Sequence, residues 1–152
     1  MHTRRLLLTA VAGLAAGLLR AAEPAPEIAL QIEGNDQMRY NVATLEAPAG
    51  KRVKLVLKNV GKLPKEAMGH NWVLLKPGTD LMGFGAAAMT TREHAFIPQE
   101  ASWKDRVIAH TALAGPGESV EVIFTAPAAG EYPFVCSFPG HVALMKGVLV
   151  VK

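Results

Sequence analysis

The sequence predicts an all-β protein, a Greek-key β-sandwich of about eight strands with one short helix. Three observations lead there. From residue 27 onward the chain is a series of short apolar runs, many of them rich in β-branched residues. Gly and Pro punctuate the gaps, as in Ala47-Pro48-Ala49-Gly50, Lys76-Pro77-Gly78, Gly115-Pro116-Gly117 and Ala128-Ala129-Gly130. The run 51–59 also alternates, with Val53, Leu55 and Leu57 on one face and Lys54 and Lys58 on the other.

Taken in order, the expected strands are 27–33, 38–46, 51–59, 70–76, 106–112, 119–125, 131–136 and 147–152, paired antiparallel. Trp72 lies mid-strand among Val73, Leu74 and Leu75 and is expected in the core. The segment 79–92 breaks the pattern, being rich in Ala, Met and Gly. Thr79 or Asp80 is placed to cap a helix there. Gly83 and Gly85 weaken a free-standing helix, so the expectation is a short one with Met82, Phe84 and Met89 turned down onto the sandwich.

Residues 1–22 read as an export signal. His2-Thr3-Arg4-Arg5 is its charged start, Leu6 to Leu19 its apolar run, and Ala21-Ala22 its small-residue end, ahead of Glu23-Pro24-Ala25-Pro26. The apolar run falls short of the roughly 20 residues a membrane span needs, which leaves an uncleaved anchor as the alternative. Thr3-Arg4-Arg5-Leu6-Leu7-Leu8 resembles a twin-arginine signal. An ordinary charged signal fits equally, so both export routes stay open. Arg20 suits a cut after Ala22 poorly, which also leaves the cleavage point open. The remainder, 23–152, is read as one domain.

Without residues 1–22 the chain loses Arg4, Arg5 and Arg20, and Lys plus Arg falls from 16 to 13, matching the 13 acids. A neutral domain lacks the basic face that nucleic acid demands. It also argues against strong charge steering by a partner. The single cysteine rules out an internal disulfide.

That cysteine carries the chemistry. It opens Cys136-Ser137-Phe138-Pro139-Gly140-His141-Val142-Ala143-Leu144-Met145, and His70 follows Gly69 far upstream. A thiolate, two imidazoles and a thioether are the set that a type 1 copper site uses, with three strong ligands and a weak axial Met. Cys136 would end one strand, His141 would return from the Pro-Gly turn, and Met145 would open the next strand. Singly, such residues are ordinary: a lone Cys is usually a small buried hydrophobe, and a Met beside a strand is usually core. Three donors on one loop point instead to a metal, and the thioether favours copper over zinc.

On these residues the chain resembles the azurins of the cupredoxin family. The matching stretches are Gly34-Asn35-Asp36-Gln37-Met38, Leu63-Pro64-Lys65, Met68-Gly69-His70-Asn71-Trp72-Val73-Leu74, Arg106-Val107-Ile108-Ala109-His110-Thr111, and Cys136 through Gly147. They run from near Ile28 to the C-terminus. The loop discriminates within the family, because plastocyanins and pseudoazurins have a shorter Cys-to-His spacing. The resemblance implies a cupredoxin-like sandwich with segment 79–92 as a short helical flap outside it, and one copper per chain, held by His70, Cys136, His141 and Met145 with the Gly69 carbonyl as a weak fifth contact. It implies that Asn71 ties the His70 loop to the Cys136 loop. It implies one-electron transfer by a monomer in the bacterial periplasm, not enzymatic turnover, with c-type cytochromes and copper or haem reductases as partners. An apolar docking patch around a solvent-edged His141 would comprise Met38, Leu63, Met68, Phe138, Pro139 and Gly140. The chain departs from many azurins twice: Ile28 and about Gly50 stand where those have a disulfide, and Asn59 stands where those have a non-ligand histidine.

Other readings have less support. A copper carrier would use exposed Met- or Cys-rich sites, whereas the only Cys here is expected to be enclosed. A nitrite-reducing enzyme needs a second copper, and only His94 and His110 remain, far apart in sequence and expected at the surface. Trp103 is expected to be partly exposed. The role of Ser137 is open, between hydrogen bonding near the thiolate and simply ending its strand.

Overall fold

The computed structural model describes residues 25–152, so the expected export signal 1–22 lies outside the described residues. Among the described residues nine strands form two sheets: β1 (Ile28–Asn35), β2 (Arg39–Tyr40), β3 (Thr44–Ala47), β4 (Arg52–Asn59), β5 (Val73–Leu75), β6 (Val107–His110), β7 (Ser119–Thr125), β8 (Gly130–Val135) and β9 (Lys146–Val151). One sheet runs β2-β1-β4-β7 and the other β3-β9-β8-β5-β6. The sandwich is therefore present, but two of its pairings, β1 with β4 and β3 with β9, are parallel. That corrects the expectation of wholly antiparallel sheets.

Alternation builds the core. On β4, Val53, Leu55 and Leu57 are fully buried and meet Ile32 of β1, Phe124 of β7, and Trp72, Leu74, Phe134 and Leu149 from the opposite sheet. The single expected strand 38–46 is split instead. Met38 adopts a left-handed conformation (φ 55°) that turns the chain, β2 pairs with β1, and β3 joins β9 in the other sheet. A strand that changes sheets cannot stay continuous, and its regular pattern hid the break.

The expected strand 70–76 shortens to Val73–Leu75 for a related reason. His70 exchanges backbone hydrogen bonds with Ala114, and the N–H of Trp72 goes to the Thr111 hydroxyl. These residues spend their main-chain groups outside a ladder. Both faces of β5 are nevertheless buried. Leu74 points into the main core, while Val73 and Leu75 pack with Val135 under α2 (Leu81–Ala88).

Helix α2 is the expected flap, and Asp80 caps it by accepting from the Gly83 N–H at 3.0 Å. Its inward face is Leu81, Phe84, Gly85 and Ala88, at helical spacing. Met82 and Met89 fall off that stripe and are exposed, which corrects the expectation that they pack downward. Gly85 permits close approach, because a Cβ there would meet Val142 at 2.5 Å. Trp103 is half-buried and edges onto Phe84. Three further single turns occur, at Lys65–Met68, Arg92–His94 and Ala101–Lys104.

Candidate metal centre

Four segments converge at one end of the sandwich. Pro139 and Gly140 form a turn closed by the His141 N–H on the Phe138 carbonyl at 3.0 Å, with Gly140 left-handed at φ 82°. That geometry needs glycine in second place after proline. The turn sends His141 back over Cys136, which closes β8 by donating its N–H to the Met145 carbonyl at 2.9 Å. His70 enters from the segment preceding β5, held by its two backbone bonds to Ala114.

The result is a buried trio. The Sγ of Cys136 lies 3.4 Å from His141 Nδ1 and 4.0 Å from His70 Nδ1. All three donor atoms fall within 4.8 Å of one another. His70 Nε2 donates to the Asn35 carbonyl at 3.0 Å, which places the proton on Nε2 and leaves the Nδ1 lone pair facing the thiol. Met145 is fully buried in the same cluster as Cys136. A Cβ added to Gly34 would meet the Met145 methyl at 2.7 Å and the His70 ring at 2.9 Å, so both side chains lie against that glycine.

Burial sets the charge state. It pushes the Cys136 thiol up to about 12, partly opposed by the backbone N–H groups of Asn71 and Phe138, which favour the thiolate. Burial, followed by the neighbouring His70, lowers His141 to about 4. His70 is lowered as well, chiefly by burial, against the opposing pull of the Asn35 carbonyl and Asp36. Without a cation the centre is thus a neutral thiol facing two neutral imidazoles. Two free imidazole lone pairs, one ionisable sulfur and a thioether fit a soft, thiophilic cation that replaces the thiol proton.

Asn71 joins the two halves. Its Oδ1 accepts from the Ser137 N–H at 2.9 Å, and its Nδ2 donates to Ser137 Oγ and to the Ala95 carbonyl, each at 2.8 Å. Ser137 Oγ in turn donates to the Phe96 carbonyl at 2.6 Å, which answers the open question about that hydroxyl. Gly69 is buried, and a Cβ there would meet the Lys65 carbonyl at 2.7 Å. The residues that sequence reasoning left without a role are Gly34, Asn35, Tyr40, Ala95 and Phe96. The first two lie within a stretch that resembles azurins. The others act through backbone carbonyls or a single hydroxyl, which leave no motif.

The residues expected to form a docking patch differ in exposure. Leu63 is 43 % exposed and Gly140 is exposed, while Met38, Met68 and Pro139 are half-buried. Phe138 is only 7 % exposed, because its ring packs between Phe96 and His141 at centroid distances of 5.0 and 4.7 Å. His141 is itself 2 % exposed rather than solvent-edged. Leu144, 44 % exposed in the same loop, was not anticipated. His94 and His110 are exposed, as expected, and Asn59 is buried, donating to the Ala114 carbonyl at 3.1 Å.

A two-sheet sandwich that gathers His70, Cys136, His141 and Met145 at one end defines a blue copper centre, and the family to which the chain belongs is one of electron carriers, not enzymes. The comparisons agree. The family described as copper binding proteins, plastocyanin/azurin family, matches residues 26–152, and the chain belongs to that family. It is 40 % identical over 140 residues to an azurin of Pseudomonas aeruginosa, covering 89 % of this chain and 92 % of the relative. It is 42 % identical over 142 residues to an azurin of Bordetella pertussis, covering 86 % and 91 %. Among solved structures it resembles auracyanin A, a "blue" copper protein from Chloroflexus aurantiacus, with a TM-score of 0.74 and 33 % identity over 82 % of this chain and 98 % of that one.

Proposed function

We propose that this chain is exported through residues 1–22 and works in the bacterial periplasm as a monomeric copper shuttle between c-type cytochromes and copper or haem reductases. The observation that carries the copper chemistry is the buried trio of His70 Nδ1, Cys136 Sγ and His141 Nδ1 within 4.8 Å. Bound copper supplies a one-electron couple, Cu(II)/Cu(I). The protein holds the donors still. The Asn35 carbonyl fixes the His70 ring, Asn71 and Ser137 lock the two ligand segments together, and the Pro139-Gly140 turn fixes His141. Complete burial keeps water away from the thiolate. The Gly69 carbonyl, next to His70 in sequence, would serve as a weak further donor to the metal.

His141 is the exit for the electron, since the loop that carries it also carries exposed Gly140 and Leu144. With Leu63 and the half-buried Met38, Met68 and Pro139, that loop forms a mostly apolar docking surface, and Phe138 supports it from beneath. A patch of this kind suits brief encounters that bury under about 1,200 Å². The test is the colour. The copper-loaded chain should be intensely blue, and Cys136→Ser should abolish the band while the β-sheet circular dichroism persists. A blue Cys136→Ser protein would overturn the assignment.

A further inference from the structure

The β1–β2 hairpin grips the His70 segment at three points. Gly34 lies against the His70 ring and the Met145 methyl, and any side chain there would collide with both. The Asn35 carbonyl accepts from His70 Nε2 at 3.0 Å. Tyr40, at the other end of the turn, donates its hydroxyl to the Asn71 carbonyl at 2.6 Å. The hairpin is itself anchored. Met38 donates its N–H to the Asn35 carbonyl from a left-handed conformation, and Asp36 accepts from the Lys62 N–H at 2.7 Å.

The Tyr40 bond matters because of what lies at the other end of the same peptide. The unit joining Asn71 to Trp72 has its carbonyl on Tyr40 and its N–H on the buried Thr111 hydroxyl at 3.0 Å. It is therefore clamped at both ends by side chains from elements distant in sequence. Asn71 is also the residue whose side chain holds Ser137, next to Cys136, and whose backbone N–H favours the thiolate. The Tyr40 ring packs against the cluster containing Cys136 and Met145 and meets Phe134 edge-on at 5.5 Å, so the hydroxyl has little freedom to swing away. We infer that Tyr40 is a positioning residue of the copper centre, its hydroxyl latching the Asn71–Trp72 peptide so that His70 and Cys136 keep one geometry in both oxidation states.

This rests on the copper reading above, and the test separates the two. Tyr40→Phe removes one oxygen and keeps the ring. Tyr132→Phe is the matched control, because the Tyr132 hydroxyl also donates to a backbone carbonyl, that of Ala128 at 2.8 Å, in an exposed setting. In the metal-free proteins, amide hydrogen exchange at Trp72 should be about fivefold faster in Tyr40→Phe than in Tyr132→Phe, the effect of one lost neutral hydrogen bond. In the copper-loaded proteins, Tyr40→Phe should release copper to a chelator about fivefold faster. Its reduction potential should also fall, since a looser Asn71 amide withdraws less charge from the thiolate, while Tyr132→Phe should match the parent. Equal Trp72 exchange in the two variants overturns the latch. A parent that binds no copper overturns the function proposed above and leaves the exchange comparison to decide the latch. Should Tyr40→Phe fail to fold, Thr111→Val frees the other end of the same peptide, and unchanged exchange at Asn71 in that variant also overturns the latch.

Discussion

Acid should destabilise the metal-free protein through His141, by an amount the structure sets. Folded His141 is lowered from an ordinary 6.5 to about 4, because burial and the adjacent His70 penalise the imidazolium. The unfolded chain therefore binds a proton near pH 6.5 that the folded chain refuses until about pH 4. A group depressed on folding lends stability that is fully present above its unfolded value and lost as pH falls through its folded value. At 1.36 kcal/mol per unit, a drop of about 2.5 units corresponds to about 3 kcal/mol lost between pH 7.5 and pH 4. His70 is shifted in the same direction and adds to the loss. The assay is urea unfolding of metal-free parent and His141→Gln at intervals across that range. Gln cannot titrate, so the parent should lose about 3 kcal/mol more than the variant, with its extra slope confined between pH 6.5 and 4. Parallel curves would show that His141 protonates as readily in the folded protein as in the unfolded chain, and that its burial costs the imidazolium nothing.

Three further outcomes follow from the same geometry. Met145→Leu should keep copper and colour and raise the potential, since the thioether is the weakest donor and a dry apolar neighbour disfavours the more charged Cu(II); loss of copper would show that Met145 anchors the metal. Leu63→Glu should slow electron self-exchange without changing the spectrum, because two like patches would then bury like charges against each other; equal rates would remove the patch from the mechanism. Asn59 is buried on the Met68 and Ala114 carbonyls and has no proton to gain, and His110 is exposed and screened. Voltammetry should therefore find a nearly flat potential between roughly pH 5 and pH 8, the histidine window, and a step near neutrality that survives in His110→Gln would refute that.

Much of this protein is determined by sequence alone. Alternation in 51–59 places Val53, Leu55 and Leu57 inside whatever surrounds them, since a strand's side chains alternate by geometry. Cys136, His141 and Met145 share one short loop, so their convergence is a local matter of a Pro-Gly turn and the start of β9, and the donor set names the metal by its softness. Tertiary structure decided the rest. Whether 38–46 is one strand or two depends on which sheet each half joins, and Met82 faces solvent because α2 presents Leu81 and Phe84 to β5 instead. Phe138 sinks from the expected patch because Phe96, brought over by a distant loop, packs against its ring. Asn35, Tyr40, Ala95 and Phe96 serve the centre through one hydroxyl and three backbone carbonyls. Every residue has a carbonyl, so which ones reach the metal centre depends on where the folded chain carries them and not on side-chain type.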